Sequence, residues 1–279
     1  MKCFLGLAML SCASRSLLLA LMLSLSGGAA GAHEFWISPE RYKVDVGQPL
    51  VAALLTGDKF DGYSIPYIPG EFKRFDIVLG EKTHKVTGRM GDDPALNMAV
   101  PGTGLGVIVH QTSGFFIEYK KPGEFEALLR DKGVLPVLEA HRKRGLPEKG
   151  FRERFIRFAK CLVAVEHGRG RDKDTGLETE FVAGLSPYAD DVTGGMPFRL
   201  LYQQKRKADA QVEVFIRAPD GEVRIEKLRT DQEGRVTVPT LPGHEYLLSA
   251  VTFRPLEGEK DLVWESLWAQ FSYIIPPKG

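Results

Sequence analysis

Arg41-Tyr42-Lys43-Val44-Asp45-Val46-Gly47-Gln48-Pro49-Leu50-Val51-Ala52-Ala53-Leu54-Leu55 is the stretch on which the fold turns. Its first six residues alternate polar and apolar side chains, the period of a half-buried strand. Gly47-Gln48-Pro49 breaks the pattern, and an apolar run resumes from Leu50 to Leu55. The same grammar recurs downstream. Phe75-Asp76-Ile77-Val78-Leu79 meets a Gly80-Glu81 turn, and Leu105 to His110 runs into Ser113-Gly114. Short strands closed by turns at this spacing predict a β-sandwich over residues 33–121.

Beyond Tyr119 the period changes. Phe125, Leu128 and Leu129 recur at helical spacing until Gly133, and Leu135, Val137 and Leu138 open a second short helix that ends in Arg142-Lys143-Arg144-Gly145. Phe151, Phe155, Phe158, Leu162 and Val165 predict a third helix with one apolar face. Arg152, Arg154, Arg157 and Lys160 then fall on its solvated faces, and Cys161 is at least partly buried. Residues 122–167 therefore read as a helical segment, and 168–176 as a polar, flexible linker.

A second β domain is expected over 177–279. Val212, Val214 and Ile216 alternate with polar residues, and turns follow at Pro219-Asp220-Gly221, Asp231 to Gly234 and Pro242-Gly243. Val192-Thr193-Gly194-Gly195-Met196-Pro197-Phe198 echoes Val44 to Leu50, a hint of two related sandwiches. The fold expected is mainly β: two immunoglobulin-like/transthyretin-like β-sandwich domains with a short helical segment between them.

The first residues predict export. Lys2 and Arg15 supply positive charge, Leu17 to Leu25 an apolar core, and Ala30-Gly31-Ala32 an A-x-A cleavage signal, so residues 1–32 read as a signal peptide and His33 as the first mature residue. Without Lys2 and Arg15 the mature chain carries 35 basic against 36 acidic residues, a net charge of −1. That balance argues against nucleic acid as a partner. No other apolar run is long enough for membrane insertion of the mature chain, which is expected to be soluble and periplasmic. Cys3 and Cys12 leave with the leader, so Cys161 stands alone and no intramolecular disulfide can form.

G-x-S-x-G, Walker, H-E-x-x-H and CxxC signatures are missing, and Asp92-Asp93 and Asp190-Asp191 lie among turn formers. An N-terminal His33 is different. Its α-amine and imidazole together close a chelate ring, and both lose their protons near neutral pH. Imidazole suits nickel, copper, zinc and iron, so the cofactor expected is a divalent transition metal ion (Ni or Cu, with Co added by the resemblance given below). Further ligands would be His110, at a strand end, and Glu265, alone on an apolar strand face in Trp264-Glu265-Ser266-Leu267-Trp268. Glu265 reads first as the ion-pair partner of an arginine, and the contact with the His33 amine or its metal is the sharper alternative. His84, His141, His167 and His244 read as surface histidines.

Ala32-His33-Glu34-Phe35-Trp36-Ile37, Glu153-Arg154-Phe155-Ile156-Arg157-Phe158-Ala159-Lys160 and Trp264-Glu265-Ser266-Leu267-Trp268-Ala269 together resemble one family. It is a bacterial family of periplasmic domains of unknown function, described as the periplasmic component of nickel/cobalt ABC-type uptake systems. The resemblance implies a metal-associated protein whose partner is a membrane-embedded metal-uptake system. Many members of that family carry a histidine where this chain has Val251-Thr252-Phe253. The function expected is non-enzymatic capture of nickel or cobalt through His33. Two alternatives stay open: a protein-interaction module of two β-sandwiches, and a copper-dependent oxidative enzyme with an N-terminal histidine.

Overall fold

Gly47 takes φ +79° in the turn, and the strand after it buries Leu50, Ala52 and Leu54 while Val51, Ala53 and Leu55 stay half-exposed. The period-2 reading of the opening stretch thus becomes one buried and one half-open face. The computed structural model describes residues 34–278. In chain order the first half holds β1 (Glu34–Pro39), β2 (Lys43–Val44), β3 (Pro49–Asp58), β4 (Asp61–Ile65), β5 (Phe72–Leu79), β6 (Lys82–Lys85), β7 (Leu96–Ala99), β8 (Gly104–Thr112) and β9 (Phe115–Tyr119). Helices α1 (Glu124–Asp131) and α2 (Pro136–Lys143) and strand β10 (Phe151–Val165) follow. The second half holds β11 (Thr179–Ala183), β12 (Met196–Tyr202), β13 (Lys205–Arg206), β14 (Gln211–Arg217), β15 (Val223–Arg229), β16 (Arg235–Val238), β17 (Glu245–Pro255) and β18 (Leu262–Ile274).

The two halves share one topology. A four-stranded sheet, β1-β3-β4 with β7 on β3, is matched by β11-β12-β13 with β16 on β12. The ten-stranded sheet runs β15-β14-β17-β18-β10-β8-β5-β6, so each half contributes a hairpin, a third strand and a long seam strand in the same order. The echo between Val44–Leu50 and Val192–Phe198 falls at equivalent places, the turns that lead into β3 and β12. The seam strands β10 and β18 pair in parallel, Arg154 opposite Glu265 and Ala159 opposite Gln270. Equivalent strands pair in parallel only if the rotation relating them lies along the strands, and such a rotation exchanges the faces of the sheet. The cores agree. Ala159, Cys161 and Val163 pack under Phe35, Ile37 and Leu54 of the first small sheet. Phe158 and Leu162 point the other way, to Phe181, Phe198 and Val238 of the second. The architecture is two β-sandwiches joined edge to edge through one sheet.

β9, α1 and α2 have no counterpart in the second half. They are an insertion between β8 and β10: β9 carries on along the edge of β10 beyond β8, and the helices pack on the face that also carries the first small sheet, with Phe125 and Leu129 against Phe151, Trp264 and Trp268. The two short helices lie where the 3.6-residue period places them, and Gly133 after α1 takes φ +68°.

The third expected helix is a strand. Phe151–Val165 is β10, 15 residues long and paired on both edges. Aromatic and β-branched residues fit either structure, and pairing with β18, β8 and β9 decides it. The basic residues are accordingly not a solvated helix face: Lys160 is 1% exposed and Arg157 6%. Residues 168–176 are not a flexible linker either. Asp172 is buried against Lys160 Nζ at 2.8 Å, and Lys160 also donates to Glu180 and to the Lys173 carbonyl, each at 3.0 Å. Cys161, on β10 instead of a helix, is fully buried and free. Among the described residues no helix is long and apolar enough to cross a membrane.

Candidate functional site

Of the three expected ligands, His33 lies outside the described residues. His110, on β8, sits among the rings of Phe35, Phe72 and Phe75 at centroid distances of 5.3, 4.6 and 5.0 Å. Neither ring nitrogen has a partner among the described residues, and burial pushes the imidazole down to about 3, so it is neutral. Glu265, on β18, accepts from Arg154 Nε at 2.5 Å and from Arg254 Nε at 2.5 Å, and Arg254 also bonds Glu178. Its solitary position on an apolar face is met by two arginines, the ion-pair alternative of the sequence analysis.

The two residues are also apart. Glu265 faces the side of Leu267 and Phe271, while His110 faces Phe35 and Phe75 across the sheet. Along β10 the level of Glu265 is Arg154, whereas the β8 register of Val107 opposite Leu162 carries His110 toward Ala159. Five residues of strand separate those levels, roughly 17 Å. Among the described residues no three His, Cys, Asp or Glu side chains are grouped to hold a metal.

His141 corrects a second expectation. It is buried, not on the surface. Its Nδ1 accepts the Trp264 indole N–H at 3.0 Å, so Nε2 carries the proton and donates to the Pro147 carbonyl at 2.9 Å. Burial lowers its pKa and favours this neutral tautomer. His84 is half-buried, and His167 and His244 bond neighbouring backbone.

One concave site of the described residues involves side chains that the sequence analysis does not single out as ligands. A cavity of about 340 Å³ opens where the insertion meets the first sandwich. β9 contributes Phe115, Phe116, Ile117 and Tyr119, and α1 contributes Leu128. Phe35, Thr56, Tyr63 and Ile65 line the side of the small sheet, and β10 supplies Glu153, Phe155 and Arg157. Tyr63 and Phe116 stand at the surface, 66% and 55% exposed. On a strand, residues 153, 155 and 157 share a face. On a helix Phe155 would lie opposite Glu153 and Arg157, so a helical period does not bring the three together.

Two ionisable groups form the floor. Glu153 accepts the Tyr119 hydroxyl at 2.5 Å and the Ser266 hydroxyl, which in turn accepts the Trp268 N–H at 2.8 Å. Burial outweighs these donors and raises the carboxyl to about 7. Arg157 lies with its guanidinium 5.3 Å from the ring centres of both Phe155 and Trp268. Burial lowers it to about 10, so it keeps its charge at neutral pH. Nearby, Lys132 at the end of α1 bridges Glu34 at 3.3 Å and Glu213 at 2.5 Å, tying the insertion to β1 and to β14.

A family model for a domain of unknown function, DUF4198, matches residues 30–254. The chain belongs to that family. No curated protein matches it. Among solved structures it is similar to one described as a tetra-tandem repeat in the extending region of a large adhesion protein, at 9% identity and a TM-score of 0.24. That similarity covers 88% of this chain and spans 50% of the other.

Proposed function

We propose that this DUF4198 protein is an exported, non-catalytic binding protein whose ligand is a small apolar molecule held in the aromatic pocket of the first sandwich. The observation that carries this reading is the insertion. Of two sandwiches with the same topology, only the first has helices between its last two long strands, and α1 together with β9 walls a cavity of about 340 Å³. Ligand pockets run from about 300 to 1,000 Å³ with apolar walls and few polar groups. The exposed rings of Tyr63 and Phe116 at its mouth give an arriving apolar molecule a first contact. The test is a fluorescence titration with the neutral probe N-phenyl-1-naphthylamine. Saturable binding by the wild type that Phe116→Glu weakens supports the pocket; no binding by the folded protein refutes it.

A second reading, capture of nickel or cobalt for a membrane uptake system, rests on the A-x-A signal before His33. His110 and Glu265 bring it no support, so the terminal amine and imidazole would have to act as the principal ligands. Intact mass should place the exported chain at residues 33–279. Calorimetric titration of Ni(II), Co(II) and Cu(II) should then show affinity lost by well over tenfold, at about 1.4 kcal/mol per tenfold, when one residue is added before His33. Equal affinity of the two forms would remove the terminal-chelate reading.

A further inference from the structure

We infer that the pocket is built for a hydrophobic monoanion, an aryl or alkyl carboxylate, with Arg157 as the residue that grips its charged end. The inference rests on the pocket reading above and goes on to name the ligand class. Arg157 is buried, yet Nη1 has no hydrogen-bond partner among the described residues. A buried charge left without a counterion is costly, and folded proteins ordinarily pair such groups. This fold does so elsewhere. Lys160 lies between Asp172 and Glu180, and Lys132 lies between Glu34 and Glu213.

The carboxylates around Arg157 are already engaged. Glu153 takes the hydroxyls of Tyr119 and Ser266, and Glu34 takes Lys132. No carboxylate of the described residues forms an ion pair with Arg157, so an anion from outside would complete the site. The stacking geometry suits that role. Phe155 and Trp268 occupy the neighbourhood of the guanidinium as aromatic surfaces, which attract the cation without supplying an acceptor to its N–H groups. A carboxylate matches the guanidinium fork and accepts charge-assisted hydrogen bonds. Glu153 sets the limit on charge. It lies on the same strand face, four residues away, and a ligand with a second anionic end would meet it, whereas an apolar tail passes Phe155 and Phe115 without penalty.

The experiment compares two probes with the same aromatic body, 8-anilinonaphthalene-1-sulfonate and N-phenyl-1-naphthylamine, which differ by the anionic group. The wild type should bind the sulfonate about tenfold or more tightly than the neutral amine, the scale of a charge-assisted contact. Arg157→Gln should abolish that preference while leaving the neutral probe within about twofold, and Arg157→Lys should retain part of it. In competition, 2-naphthoate should displace the bound sulfonate and 2-naphthalenemethanol should not. Equal affinity of the wild type for both probes, or a parallel loss of both in a folded Arg157→Gln, overturns the anion inference and leaves the pocket standing. Failure of either probe to bind overturns the pocket itself. Should Arg157→Gln fail to fold, the probe preference of Arg157→Lys and the naphthoate competition on wild type decide the matter, since loss of selectivity in both is incompatible with an anion grip.

Discussion

Lys160→Met would remove the single cation from a buried cluster and leave two carboxylates facing each other in the core. Lys160 is 1% exposed, and the side chains of Asp172 and Glu180 are fully buried. Breaking a buried ion pair by deleting one partner costs about 3–5 kcal/mol. Here the remaining carboxylates keep backbone donors: Asp172 accepts the Lys173 and Ala183 amides at 2.8 and 2.9 Å, and Glu180 accepts those of Thr175 and Leu177 at 3.0 Å. Those donors hold part of the charge, so the lower end, about 3 kcal/mol, is the expected loss near pH 8. Burial already raises the pKa of both acids in the wild type, against the pull of Lys160. For an acid with a raised folded value, the favourable contribution is complete below the unfolded value and is lost as pH rises through the folded one. Without Lys160 both values climb further, so the deficit of the variant should be smaller at about pH 5.5 than near pH 8, because acidification favours the protonated carboxyls. Urea unfolding followed by tryptophan fluorescence at the two pH values measures both effects. A loss under about 1 kcal/mol near pH 8, or a loss that grows on acidification, would refute the view that Lys160 holds the 168–176 segment by charge.

Glu153 gives a second pH dependence. Its carboxyl rises from 4.5 to about 7 on burial, so stability from this group is complete below the lower value and lost as pH passes the upper one. The difference amounts to roughly 3 kcal/mol, and Glu153→Gln should flatten that part of the pH–stability curve; an unchanged slope would disprove the assignment. Trp264→Phe deletes the N–H that His141 accepts and should cost about 1–3 kcal/mol for the orphaned nitrogen, besides the lost packing, in equilibrium unfolding. A variant as stable as the wild type would mean the Trp264–His141 contact does not hold α2 in place. The Cys161 thiol, whose pKa burial pushes up, should react with a thiol reagent only as fast as the protein unfolds, and melting should be indifferent to reductant. Rapid labelling of the native protein would contradict its position under the first small sheet.

The pocket and the expected metal ligands illustrate how far side-chain patterns reach. The sequence places His110 at the end of an apolar strand, and β8 runs two residues further, to Thr112. What surrounds it is set by Phe35, Phe72 and Phe75, residues far away in sequence and brought to it by two other strands, β1 and β5. Glu265 was recognised as a carboxylate alone on an apolar face, but Arg154 and Arg254 reach it only through the pairing of β18 with β10 and β17. A helical period over Phe151–Val165 places Arg157 on a solvated face and conceals its neighbourhood with Glu153, which the strand creates. A signal was present: Glu153, Phe155, Arg157 and Ala159 follow one another at alternate positions, with Phe158, Lys160 and Leu162 on the other side.

What the sequence determined by itself is what depends on neighbours in the chain. Alternation around Val44 and Leu50, the glycine turns that need positive φ, and the short amphipathic helices ending at Gly133 and Gly145 all follow from interactions within a few residues. A mainly β sandwich architecture follows from their sum. Tertiary structure alone decided that Phe151–Val165 is a strand, since its aromatic, β-branched and basic residues satisfy both periods and only β18, β8 and β9 supply the missing hydrogen bonds. It also decided that the two halves share one sheet and that Arg157 lies buried beside a cavity. Backbone pairing across the seam and the partner of a buried charge are long-range relations, and no local pattern encodes which distant strand will provide them.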